Sequence, residues 1–67
     1  MKLITNLPLL LGKKKMTQKD LSQKTGIRAA TINEYYNDIW KSIKKSHIEK
    51  ICRTLNCDIA ELFQIKK

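Results

Sequence analysis

Sixty-seven residues, 42% hydrophobic and 30% charged with only two Gly and one Pro, describe one small helical domain. That composition excludes a disordered tail, a collagen-like chain and a Gly-punctuated all-β module, and a chain this short buries only about 60% of its unfolded surface, too little for a deep lidded substrate cavity. Fourteen Lys and Arg against six Asp and Glu give a net charge of +8, which favours polyanionic partners, nucleic acid first and anionic membrane surface second.

Taken in chain order, Lys2-Leu3-Ile4-Thr5 is compatible with a short edge strand, although nothing in the pattern asks for a sheet. Asn6 then precedes Leu7, Leu10 and Leu11, spaced i, i+3, i+4, with Pro8 in the first turn where its missing N–H costs nothing. A first helix is expected from about Leu7 to Lys14, its Lys13 to Lys15 end matched to the negative pole of the helix dipole. Thr17 with Asp20 three residues on resembles a capping box with Asp in place of Glu, and opens a second helix that Gly26 ends in the left-handed conformation. The third helix runs over Ala29 to Tyr36 with Ile32 and Tyr35 on its inner side. A connection of about eight residues follows, anchored by Trp40 and Ile43. Ser46 with Glu49 forms a full capping box for a fourth helix, whose Ile48, Ile51, Cys52 and Leu55 make a buried stripe. His47, in its first turn, is read as solvated. Asp58 caps a fifth helix carrying Leu62, Phe63 and Ile65, the last two serving either the core or a dimer seam.

Two short helices joined at Gly26 describe a helix-turn-helix over about residues 17–37, in which the second helix enters the DNA major groove and the first braces it. Counting from Gln18, the small residue needed at the helix crossing is Ser22, and the turn position needing positive φ is Gly26. The inward apolar positions are filled by Leu21, Ile27, Ile32 and Tyr35.

Beyond these positions the chain resembles the Cro/CI-type helix-turn-helix regulators of phages and bacteria, the xenobiotic-response-element class. The residues that carry the resemblance are Asn6-Leu7 with Leu10-Leu11, the run Met16 to Ile27, Thr31-Ile32, Tyr36-Asn37, and Ile48 through Leu62, which span nearly the whole chain. The resemblance implies an all-α five-helix bundle of the lambda-repressor-like type over residues 1–67, and a homodimeric transcriptional regulator. It implies that Thr17 and Gln18 meet phosphate, helped by the backbone N–H groups beside Gln18. Arg28, Ala29, Ala30, Asn33 and Glu34 match the exposed positions that face base edges. Asn37 matches a phosphate-binding position, and Lys41, Lys44 and Lys45 lie in the loop that grips the backbone further along.

Departures from the family pattern bear on specificity. Ala29 and Ala30 offer only van der Waals contact with thymine methyls, so direct readout is thin, resting on Arg28 for guanine and Asn33 for adenine, while Glu34 can accept only from donors such as cytosine N4. Asp38 stands where relatives commonly have Gly and adds a negative charge beside the expected DNA surface. Tyr35 is larger than the usual Leu or Ile. Residues 1–33 carry seven Lys and Arg and one acid, residues 34–67 seven and five, so the basic excess lies around the motif.

The expected function is therefore sequence-specific double-stranded DNA binding by a phage-like or mobile-element-like regulator, a repressor acting as a homodimer. The rival is a protein-interaction module on the same fold, an antirepressor or antitoxin using the alanine-rich face of helix three; a third reading is a non-specific nucleic-acid coat. An enzyme is not expected, because one His, no Gly-rich phosphate loop and no clustered carboxylates leave no set of groups for acid–base or nucleophilic work. Cys52 and Cys57 do not form a C-x-x-C pair and a single His47 cannot complete a zinc set, so they read as two reduced core thiols, with neither metal nor cofactor nor small-molecule substrate implied. The apolar run Leu7 to Leu11, broken by Pro8, is far below the roughly 20 residues that span a bilayer. Lys13-Lys14-Lys15 fall where a signal-cleavage site would be, so a cytoplasmic protein starting at Met1 is expected.

Overall fold

The computed structural model describes residues 1–67 in the order β1 (Lys2–Thr5), α1 (Leu7–Lys14), α2 (Gln18–Thr25), α3 (Ala29–Tyr36), α4 (Lys45–Leu55), α5 (Ile59–Leu62) and β2 (Phe63–Lys66). None of the helices exceeds 11 residues, below the length at which an isolated helix is stable in water, so a shared core has to hold them. Each helix contributes: Leu7 from α1, Leu21 from α2, Ile32 from α3, Ile51 and Leu55 from α4 and Leu62 from α5 are all less than 2% exposed. Leu10, Leu11, Ile27 and Tyr35 complete that core.

The ends of the helices follow from local chemistry. At α1, Lys15 takes the left-handed conformation at φ +52, its N–H bonds to the Gly12 carbonyl and that of Met16 to the Leu11 carbonyl. This is a Schellman cap. At α2, Thr17 Oγ1 accepts from the Asp20 N–H and an Asp20 carboxylate oxygen accepts from the Thr17 N–H, both at 3.0 Å, so the expected capping box is closed. The Thr17 backbone N–H donating to that oxygen, with the Thr17 hydroxyl beside it, holds the Asp20 carboxyl below its usual range.

Three expectations need correction. The fold is not all-α: β1 and β2 pair antiparallel, with Lys2 opposite Lys66, Leu3 opposite Ile65, Ile4 opposite Gln64 and Thr5 opposite Phe63. Helix five stops at Leu62 because Phe63-Gln64-Ile65-Lys66 alternates apolar and polar residues, the period of a strand, and β1 offers its backbone as a partner. Phe63 is thus half-buried against Trp40, ring centroids 6.1 Å apart, while Ile65 stays 51% exposed. Helix four does not start from a Ser46 capping box: the Ile48 N–H reaches the Lys44 carbonyl at 3.1 Å, so the helix opens one turn ahead of Ile48 with Lys44 as its cap and no side-chain bond. Lys45 therefore sits in α4 and not in the preceding loop. Of the stripe on α4, Ile51 and Leu55 are buried, and Ile48 and Cys52 half-buried.

Candidate nucleic-acid interface

The turn between α2 and α3 is fixed by a small set of bonds. Gly26 sits at φ +76, and its N–H bonds to the Ser22 carbonyl at 2.9 Å. A Cβ built there would meet no atom within 4 Å, so the demand for glycine is one of backbone conformation and not of space. The Ser22 hydroxyl donates to the Ile27 carbonyl across the helix crossing, and the Thr25 hydroxyl donates to the Leu21 carbonyl at 2.7 Å while accepting from the Ile27 N–H at 3.2 Å. Every polar group at the turn that faces inward has a partner, as burial requires.

With that turn fixed, α3 buries Ile32 and Tyr35 and leaves Ala29, Ala30, Asn33 and Glu34 exposed. Ala30, Asn33 and Glu34 are spaced i, i+3, i+4 and so share one outward stripe. Arg28, exposed, stands immediately ahead of the helix at φ −59 and ψ +140. Asn33 Nδ2 donates to Gln18 Oε1 at 3.3 Å, and Asn37 Nδ2 donates to the Asn33 carbonyl at 3.0 Å. Three residues expected from sequence are thereby joined in one line across α2 and α3. Thr17 lies at the exposed start of α2; Lys41 and Lys44 are exposed on the α3–α4 connection and Lys45 on the first turn of α4.

Sequence reasoning missed the groove beside this stripe. It has a volume of about 350 Å³, and its polar lining joins Arg28, Thr31 and Glu34 of the α3 side to Ser42, Lys44 and His47. The spacing Arg28, Thr31, Glu34 at i, i+3, i+6 carries the first half of that signal; Ser42 has none, because only the path of the connection brings it in. Within the groove's lining the Tyr35 hydroxyl and His47 Nδ1 are 2.6 Å apart. His47 is thus half-buried rather than solvated, and burial, then the charges of Lys44 and Lys50, lower its pKa from the ordinary 6.5. Burial likewise raises that of the Tyr35 phenol.

Asp38 also differs from expectation. It is half-buried, and its Oδ1 accepts from the Thr5 N–H at 2.8 Å and from the Trp40 indole N–H at 3.2 Å, so its charge is spent on holding β1 and the connection together. Its φ of +56 is a left-handed conformation that a Gly would adopt without steric cost. The Thr5 hydroxyl donates to the Tyr35 carbonyl at 2.7 Å, so β1 also caps the carboxyl end of α3. The strand that sequence patterning did not demand is a brace for the exposed helix.

A tight turn with a left-handed glycine, two eight-residue helices and an exposed polar stripe on the second define a helix-turn-helix protein. Residues 6–67 match the family model for the Cro/C1-type helix-turn-helix DNA-binding domain. The chain is 32% identical over 66 residues to YozG, an uncharacterized HTH-type transcriptional regulator of Bacillus subtilis (strain 168), covering 98% of this chain and 79% of that protein. Its fold is similar to that of a candidate DNA-binding protein from Bacteroides fragilis, with a TM-score of 0.83 at 19% identity over 94% of this chain and 100% of the other. It is also similar to the transcriptional regulator VanUg, with a TM-score of 0.78 at 22% identity over 94% and 83% of the two chains. The chain belongs to the Cro/C1-type helix-turn-helix family of DNA-binding regulators. No helix is long and apolar enough to cross a membrane.

Proposed function

We propose that the protein is a sequence-specific repressor that binds double-stranded DNA as a homodimer, with α3 in the major groove and two half-sites about one helical turn, roughly 34 Å, apart. The observation that carries this reading is the hydrogen-bonded line Gln18–Asn33–Asn37, which couples two phosphate-facing positions to a base-facing one on an exposed surface. Thr17, Gln18 and Asn37 fix the register on the phosphates, with Lys41, Lys44 and Lys45 extending the grip. Arg28 and Asn33 read guanine and adenine, and Ala29 and Ala30 leave room for thymine methyls. Repression follows by occlusion of a promoter, in the cytoplasm.

The test is a mutational signature on an enriched duplex read by anisotropy. Arg28→Ala and Asn33→Ala should each relax preference at particular base pairs by about 1–3 kcal/mol, while Lys41→Ala, which bonds to no base-facing side chain, should weaken all duplexes alike. The rival use of this surface, against another regulator, draws on the short side chains of Ala29 and Ala30 beside Glu34 and Asp38. Asp38 is turned inward to Thr5 and Trp40, which removes one of the two acids from that argument. A protein-interaction module would show neither mutational effect.

A further inference from the structure

The carboxyl end of α4 brings the two cysteines together. Asn56 takes the left-handed conformation at φ +50, its N–H bonds to the Arg53 carbonyl at 3.3 Å, and the Cys57 N–H reaches back to the Cys52 carbonyl at 3.0 Å. This pair of bonds is a Schellman cap, whose geometry sets the side chain on the residue after the left-handed position against the one five residues earlier. In α1 the equivalent places hold Leu11 and Met16, both apolar. In α4 they hold two free thiols, both half-buried and therefore open to a small reagent. Disulfide geometry requires Cα atoms within about 7 Å and converging Cβ vectors, and the backbones of the same two residues are already bonded to each other at 3.0 Å across the cap.

We infer that Cys52 and Cys57 are an intramolecular dithiol that closes to a disulfide by exchange with a low-molecular-weight disulfide while the fold stays in place. In the first step one cysteine thiolate attacks the reagent, forming a mixed disulfide and expelling one reagent thiolate. In the second, the other cysteine attacks the protein-bound sulfur and expels the second. The two cysteines lose two electrons and two protons, and the reagent is reduced to two thiols. Burial, then the adjoining Cys52 thiol, pushes the Cys57 thiol up to about 11, so exchange through Cys57 quickens with rising pH. The site is open in a reducing compartment and closes as the thiol–disulfide balance shifts, the behaviour of a redox-responsive pair and not of a permanent staple. None of this depends on how the α3 surface is used.

The experiment incubates the folded full chain with a series of reduced-to-oxidised glutathione ratios, and reads intact mass, free-thiol titre and non-reducing gel mobility, with circular dichroism to follow helix content. The wild type should lose the mass of two hydrogens and both thiols, remain a monomer on the gel and keep its helical signal. Cys52→Ser and Cys57→Ser should each stop at a single glutathione adduct. Disulfide-linked dimers, a stable glutathione adduct on the wild type, or loss of thiols only once urea has unfolded the chain would each overturn the inference.

Discussion

Asp38 and His47 are the two side chains whose surroundings differ most from what their sequence positions suggest. The Asp38 carboxylate is the acceptor for a partly buried backbone N–H and for an indole N–H, so its removal leaves two donors without partners. Asp38→Ala should therefore cost about 1–3 kcal/mol by urea unfolding, while Asp38→Asn, which retains an acceptor oxygen and tolerates positive φ, should cost less than half as much. His47 is the chain's one histidine, so it dominates the titration between pH 5 and 7. Its pKa is lower folded than unfolded. The unfolded chain then binds the proton more readily, and stability that is complete above pH 6.5 falls as pH drops below that value. Thermal unfolding should show a lower midpoint at pH 5.5 than at 7.5, and His47→Gln should flatten the difference.

Among the elements, those that announce themselves by punctuation were legible in the sequence. The α1, α2 and α3 ranges follow from Pro8, the Thr17–Asp20 box and Gly26, each of which acts on its immediate neighbours. The two strands were not legible in the same way, because four-residue strands depend on each other across 58 or more residues of chain and neither is stable alone. The start of α4 was missed for a related reason: the Ser46 box is a sound local signal, but the bond from Tyr35 to His47 ties that turn to α3. In the candidate interface, periodicity placed Ile32 and Tyr35 on the inner side of α3 and a small, polar face opposite, while the roles of the outward residues came only with the family resemblance. The groove lining at Ser42 could not be assigned, since it depends on a path through an irregular connection. Two cap substitutions test the local account. Gly26→Ala should cost about 1–2 kcal/mol for the left-handed backbone alone, since the space beside it is open, and Thr17→Ala about 1 kcal/mol for the lost cap. Chemical denaturation of both variants, with DNA binding checked at a concentration where each is folded, separates scaffold from surface.

Across the whole molecule, basic charge is not confined to the α3 side. Lys24, Lys50 and Arg53 gather with Thr25 and Thr54 around a second cleft of about 230 Å³ between α2 and α4, with no residue of α3 in its lining. Only charges that meet phosphate release counterions, so Lys44→Ala should reduce the slope of log affinity against log salt by about 1, while Lys50→Ala should leave it unchanged. A dimer making roughly six to ten phosphate contacts should lose about 10³ to 10⁵ in affinity between 50 and 200 mM salt. The central claim, that this surface reads a DNA sequence as a symmetric pair, is tested most directly by selection from a random duplex pool at about 150 mM salt, followed by anisotropy on the enriched and a scrambled sequence. The account predicts an inverted repeat with half-sites about one helical turn apart, preferred at least roughly a thousandfold over the scrambled duplex. A pool that enriches nothing, with binding that vanishes as salt rises, would contradict it.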